Sequence, residues 1–518
     1  MMKFLYILLA FLIALAIRLY PTFLSGLPFS TDAWSPIRNT ELLLKYTPIK
    51  LDSEIMDGYN CYWPANSLFG SIFSLITGIN PILSMAIGIP LVGALTILIF
   101  YSIVSKINSK LAFLSSILLA TFYPYSLFMA GVTKETYANP IYMLLILIFL
   151  RKWKLRKALL FTIVSLALVM AHHLTVLVAI VILASITLAD KILNKKLDNF
   201  NPLYVLFLII ITILYFFLYA YRGFKLTITL SDWISIASYQ IVTFSLTLYF
   251  ISKPYKRSSI KTIFICLLSI ILASFFAFLC TKRSIIPNAP ILPNHYIFYA
   301  IPFILISPLI FLGLEEICNM KDECIFLFWF AVIIGLGFYV IFGNSLLGLG
   351  LVGRTLNFLS PPLAIIFAFG INRLYLAKYK NLAKLIATTF FLLIIILNFY
   401  DIYSAISMRE RYMGYYFWLY RIPEYKACEW ISFAIDKTIV GDIKISSILK
   451  NYFNMKVDIY QGLKYLIEGI SKPQIFIYDQ MMNNEYNIDT IYQLPKNWME
   501  KIYNLNLIYS NTLIEIYS

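Results

Sequence analysis

Residues 262–280 read TIFICLLSIILASFFAFLC, a run without one charged side chain. Coiled as a helix, such a run rises about 28 Å, close to the roughly 30 Å of a bilayer's hydrocarbon core. It is not alone. Apolar stretches recur at 4–20, 82–104, 111–130, 136–150, 158–172, 174–190, 203–221, 234–251, 297–313, 325–343, 355–371 and 382–403. About thirteen spans are predicted, several of them short against the usual 17–25 residues. Of the 518 residues, 60% are hydrophobic and only 13% charged. The mean hydropathy is +0.79. A soluble domain carries about 25% charged residues. So few charges cannot clothe a globular surface, which excludes a soluble enzyme, a coiled coil and a disordered scaffold. The sequence predicts an all-α polytopic membrane protein.

The net charge of +16 would point to nucleic acid if the basic residues formed a stripe on a soluble face. They cluster instead in the short breaks between apolar runs, as membrane topology requires, and no nucleic-acid partner is expected. With the N-terminus cytoplasmic and spans alternating, the inner breaks hold twenty Lys and Arg and the outer breaks before residue 404 hold nine. That places the C-terminal region outside. Ala14-Leu15-Ala16 also has the spacing of a signal-peptidase site, and the first segment is read as a retained span. The six cysteines show no CxxC spacing and no paired pattern in one loop, so neither a disulfide framework nor a zinc site is expected.

Two regions escape the membrane pattern. Residues 21–81 form a long first outer loop ending in an amphipathic stretch, Trp63 to Leu75, suited to a bilayer surface. Residues 404–518 hold 12 acidic and 12 basic residues and read as a small extracytoplasmic α/β domain. Strands are expected at Ile439–Ile445, Gln474–Tyr478, Leu505–Tyr509 and Leu513–Tyr517, with a helix over Glu424–Ile435. The chain thus divides into a membrane domain, 1–403, and an outer domain, 404–518.

Charges at the membrane edge are costly and need an explanation. The first loop has Asp32, Glu41, Asp52, Glu54 and Asp57, and between Asp57 and Asp190 the one acid is Glu135. Asp32, in Phe29-Ser30-Thr31-Asp32-Ala33-Trp34, reads either as a general base in a partly dehydrated cleft or as a helix N-cap. Lys134 and Glu135 sit together in a tight break between apolar helices. They can hold a phosphate and orient an acceptor or a metal, or be a snorkelling cation and an anion favoured by the helix dipole. His172-His173 falls at a hinge between two helices. A polar role at a cleft floor competes there with a structural cap. Arg354 follows the run Gly348-Leu349-Gly350-Leu351-Val352-Gly353, read as a glycine-rich outer loop, and suits bidentate phosphate binding as well as snorkelling. Lys282, Arg283 and His295, in a Pro-rich outer loop, are weaker candidates. The chain contains no Walker loop and no HExxH.

Together these parts resemble the GT-C superfamily of integral-membrane glycosyltransferases, closest to archaeal protein mannosyltransferase and oligosaccharyltransferase branches. The resemblance rests on the early Asp32, the surface stretch near Tyr62-Trp63-Pro64, the Lys134-Glu135 pair, the His-His-Leu-Thr break, Arg354 before Asn357-Phe358-Leu359-Ser360-Pro361-Pro362, and the outer soluble domain. It implies a polyprenyl-phosphate-linked sugar donor and a glycan, lipid or protein acceptor at the extracytoplasmic face of the cell membrane. By the same resemblance Asp32 is the catalytic base, Glu135 positions acceptor or metal, and Lys134 and Arg354 grip the lipid phosphate. A divalent Mg or Mn ion near Asp32 and Glu135 is compatible with it. One departure matters: oligosaccharyltransferases carry a WWDYG-type motif, and this chain has no Trp-Trp pair. Transfer of a single sugar therefore fits better than transfer of a whole glycan to asparagine. Two alternatives stay open, a transporter or flippase of a lipid-linked substrate and an inactive GT-C-like binding protein.

Overall fold

In the computed structural model, the described residues are 2–46, 48, 50, 55–57, 59–151, 155–193, 201–223, 228–253, 259–285, 290–320, 323–343, 346–375, 380–408, 410, 413, 418–488 and 491–518. Asp52 and Glu54 lie outside them, as do Lys152, Lys154, Lys195, Lys196, Lys225, Lys256, Arg257, Lys321 and Lys378 of the topology argument. In chain order the helices are α1 (Met2–Ser25), α2 (Trp34–Lys45), α3 (Ala65–Thr77), α4 (Pro81–Ile107), α5 (Ala112–Thr121), α6 (Tyr123–Phe128), α7 (Lys134–Phe149), α8 (Leu155–Ala171), α9 (His173–Ile192) and α10 (Pro202–Leu218). There follow α11 (Leu230–Ser252), α12 (Ser259–Cys280), α13 (Ile301–Cys318), α14 (Leu327–Phe342), α15 (Leu346–Tyr375) and α16 (Lys380–Ile406). The tail adds α17 (Ile422–Ala434), β1 (Ile439–Val440), α18 (Ile443–Asn451), α19 (Ile459–Glu468), β2 (Ile475–Asp479), β3 (Glu485–Asn487), β4 (Ile491–Gln493), α20 (Trp498–Tyr503), β5 (Leu507–Ser510) and β6 (Ile514–Tyr517).

Each of the thirteen predicted spans overlaps a helix, and among the described residues nine helices are long and apolar enough to cross a bilayer, the rest being shorter. The chain is a polytopic helical membrane protein with a small C-terminal strand region. It folds as two compact units: Met1–Arg18, Leu91–Ala130 and Lys134–Met408 form the first, and Leu19–Pro90, Gly131–Thr133 and Arg409–Ser518 the second.

The first unit is held by close helix contact. A Cβ placed on Gly313 of α13 would fall 1.8 Å from the Ile366 carbonyl oxygen of α15, and one on Gly370 would fall 2.0 Å from that of Leu309. Small residues at such crossings let backbones approach where lipid offers no hydrophobic drive. The same pair of helices is clamped by the bidentate Arg373–Glu315 ion pair, at 2.5 and 2.9 Å. The apolar run at 111–130 is not one helix. It breaks at Phe122, which is extended, and restarts with Pro124 in the first turn of α6. The Tyr123 N–H released by the break donates to Asn398 Oδ1 at 2.8 Å. Gly348 to Arg354, expected as an outer loop, is the first two turns of α15.

In the second unit α3 is inverted relative to a soluble helix. It buries Asn66, Ser67, Gly70, Ser71 and Ser74 and exposes Ile72, Leu75 and Ile76. Gly70 permits this: a Cβ there would meet Met85 Sδ at 2.2 Å and Thr40 Oγ1 at 2.9 Å. The tail sheet runs β1-β2-β6-β5, with β1 parallel to β2 and the other neighbours antiparallel. Alternation along β2 sends Ile475 and Ile477 into one core and Phe476 and Tyr478 into another. The first of these cores also takes in Leu27 and Trp34 from the first loop. The strand expected over Ile439–Ile445 is shorter: it ends at Val440, because Gly441 breaks it and Asp442 caps α18, accepting from the Ile445 N–H at 3.1 Å.

The tail buries Glu424, Asp442, Lys444 and Asp479. Lys444 pairs with Glu424 at 2.5 Å, so one cation faces three carboxyls. Burial pushes the Asp442 carboxyl up to about 6, and burial followed by repulsion from Glu424 pushes Asp479 well above the ordinary carboxylate range. Both groups hold protons better folded than unfolded. Their stabilising contribution is therefore full below about pH 4 and is lost as pH rises through 6 and beyond. Asp479→Asn keeps an acceptor for the Met481 N–H and is expected to stabilise the domain at pH 8 by on the order of 1–2 kcal/mol. Amide exchange of β2 and α18 in the full chain, measured from pH 5 to 9, checks this: protection should fall with pH in the wild type and flatten in the variant.

Candidate active site

In the first unit the polar groups gather at the N-terminus of α7. Glu135 is 3% exposed, and its partners come from far along the chain. Asn357 Nδ2 donates to Glu135 Oε1 at 2.6 Å, and Arg354 Nε stands 3.7 Å from Glu135 Oε2. Arg354 and Asn357 are three apart on α15, hence on one helix face. The Arg354 side chain is 37% exposed, so the carboxylate anchors one side of a guanidinium whose other side is open. Lys134 is buried.

The two histidines close this cluster. His172 is extended, with φ −162° and ψ 124°, and stands at the start of α9. Because the backbone there is not helical, adjacent side chains converge: the two rings lie 4.9 Å apart. His172 Nδ1 is 2.7 Å from Thr175 Oγ1, and the charges of Lys134 and Arg354 act on both imidazoles. Two cations set against one carboxylate leave an excess of positive charge, suited to an anion. Lys282 and His295 are otherwise engaged, Lys282 with Asn294 Oδ1 at 3.2 Å and His295 against Tyr296 at 4.6 Å.

The same unit holds an apolar cavity lined by Phe122, Phe303, Ile306, Leu356, Leu359 and Leu363 among others. Leu356, Leu359 and Leu363 belong to α15, the helix that carries Arg354 and Asn357.

Asp32 belongs to the second unit. It sits in a one-turn 3-10 helix, Thr31–Ala33, and its side chain is exposed. The capping role falls to Ser30, whose Oγ accepts from the Asp32 N–H at 3.2 Å. No side chain caps α2. Among the described residues no hydrogen bond or ion pair is recorded for the Asp32 carboxylate. Asp57 is the contrasting acid of the same loop. Burial pushes its carboxyl up, but hydrogen bonds from Ser35, Asn60 and the N–H groups of Asn60 and Tyr59 outweigh burial and hold it below the ordinary range. Asp57 is thus a fastener of the loop. Among the described residues no group of three or more His, Cys, Asp or Glu side chains gathers as a metal site, and Glu135 already has an amide and a guanidinium as partners.

Sequence reasoning named Glu135, Lys134, Arg354 and the His pair, and the structure brings these together. It did not assign a role to Asn357, which no local signal links to Glu135 across 222 residues.

No family model matches the sequence, and no curated protein matches it. Solved structures do. The oligosaccharyltransferase of Archaeoglobus fulgidus, crystallised with Zn and sulfate, matches with a TM-score of 0.52 at 12% identity, over 92% of this chain and 68% of that one. ArnT from Cupriavidus metallidurans, bound to undecaprenyl phosphate, matches with a TM-score of 0.50 at 11% identity, over 99% of this chain and 97% of that one. The chain has the polytopic fold of these two proteins, the GT-C fold.

Proposed function

We propose that the protein is a membrane glycosyltransferase that moves a sugar from a polyprenyl-phosphate donor to an acceptor hydroxyl at the extracytoplasmic face. The observation that carries this reading is the buried Glu135 holding a half-open Arg354 beside Lys134, in a fold shared with a protein crystallised with undecaprenyl phosphate. The roles follow from the chemistry. A polyprenyl phosphate leaves readily, so the enzyme must deprotonate the acceptor, align it and stabilise charge growing on phosphate. Arg354 and Lys134 supply that charge, and the apolar cavity on α15 takes the prenyl chain. Asp32 accepts the acceptor's proton as oxygen attacks the anomeric carbon. The carbon–oxygen bond to phosphate breaks with inversion, and polyprenyl phosphate departs. The proposed orientation puts the N-terminus in the cytoplasm and the tail domain outside, with the exposed Ile72, Leu75 and Ile76 of α3 against the bilayer surface.

The test incubates purified full chain in lipid with radiolabelled polyprenyl-phosphate sugars and membrane extract from the source cells. Label moving to a new product that depends on the protein supports the transferase. Donor binding without transfer under any metal condition supports an inactive binding protein, and donor crossing the bilayer unchanged supports a flippase.

A further inference from the structure

We propose that the C-terminal domain holds the catalytic turn in place, with Ser30 and Trp34 as the positioning residues for Asp32. The inference rests on the reading of Asp32 as general base and adds a role for the outer domain. The turn and the tail residues that touch it all belong to the second unit.

Ser30 has φ 106° and ψ 138°, a conformation that side chains other than glycine avoid and that persists only where surroundings impose it. What holds it is the Trp418–Leu419 segment of the tail. The Ser30 N–H donates to the Trp418 carbonyl at 3.0 Å, Phe29 forms an antiparallel bridge with Leu419, and the Phe29 and Trp418 rings pack edge to face at 5.7 Å. The Phe29 carbonyl is also tied, accepting from the Val132 N–H at 2.8 Å. With its backbone fixed, Ser30 turns its Oγ to the Asp32 N–H and its carbonyl to the Ala33 N–H, both at 3.2 Å. The strained residue thus shapes the turn that carries Asp32.

The other end of the turn is fixed by Trp34, which is fully buried. Three tyrosines of the tail enclose it: Tyr420 at 5.0 Å, Tyr452 at 5.6 Å and Tyr425, stacked, at 5.9 Å. Tyr420 is itself anchored by its hydroxyl, which donates to the Lys444 carbonyl at 3.2 Å. Tyr452 donates to Glu41 Oε1 at 2.7 Å, tying α2 to the same wall. Asp32 is exposed between two clamped neighbours. A carboxylate so placed needs no partner of its own to keep its direction, which leaves its oxygens available to an acceptor.

The experiment uses the full chain in lipid, with the donor that proves active in the labelled screen and undecaprenyl phosphate titrated as the probe of donor binding. Ser30→Ala and Ser30→Gly both remove the Oγ acceptor and are expected to lower kcat about tenfold or more. KM and undecaprenyl phosphate affinity should stay within about twofold, because positioning acts on the reacting geometry. Ser30→Gly suits the backbone angle and should be at least as heat-stable as the wild type, so that its loss of kcat is separate from folding. Trp34→Ala should share the kcat loss and speed amide exchange over residues 29–34, and Trp34→Phe should recover most of both. Wild-type kcat in both Ser30 variants, with Asp32→Asn inactive, overturns the positioning role alone. Turnover retained in Asp32→Asn overturns the base reading and this inference with it. If Trp34→Ala does not fold, the Ser30 pair decides.

Discussion

Asp32→Asn, assayed in the full chain with its active donor, is expected to lower turnover by about 10²–10⁴-fold, the usual contribution of a general base. The exposed carboxylate has no recorded hydrogen bond or ion pair among the described residues, and the capping bond of its turn comes from Ser30. Asparagine keeps the volume and the backbone of that turn but cannot take a proton. Expression, thermal stability and undecaprenyl phosphate affinity should therefore stay unchanged while kcat collapses. Full turnover in the variant would remove Asp32 from the chemistry.

Arg354→Met is expected to weaken undecaprenyl phosphate binding by about 10- to 100-fold, the scale of a charge-assisted hydrogen bond to a charged group. The guanidinium stands 3.7 Å from Glu135 and is 37% exposed. It is thus oriented without being consumed. Arg354→Lys should restore only part of the affinity, because an ammonium cannot engage two phosphate oxygens in a planar fork. The partial exposure of the site also predicts weaker binding at higher salt. Titration of undecaprenyl phosphate at low and high ionic strength reads both effects, and unchanged affinity in Arg354→Met would place the phosphate elsewhere.

The membrane architecture was legible residue by residue because a bilayer imposes one rule: a span must be long, apolar and helical. Where a local competitor exists, the reading slipped. Asp442 caps a helix where Ile439–Ile445 reads as a strand. Gly348 to Gly353 reads as a loop, yet it is helical, since glycine weakens a helix by only about 1 kcal/mol per residue. The 111–130 run hides a break at Phe122, whose freed neighbouring N–H is taken by Asn398. Ser30 gives no sign in the sequence of its positive φ, which is held by contact with Trp418 and Leu419 from almost four hundred residues away.

By itself the sequence determined that the chain is a polytopic helical membrane protein with a small strand-containing tail, and which few charges interrupt its apolar runs, because these depend on composition over short windows. It could not determine which of those charges meet. Glu135 is joined to Asn357 and Arg354, and the core of the tail domain is completed by Leu27 and Trp34 of the first loop. Such pairings depend on which helix faces and which loop pack together. That is settled by the burial of whole surfaces, and no window of sequence contains it.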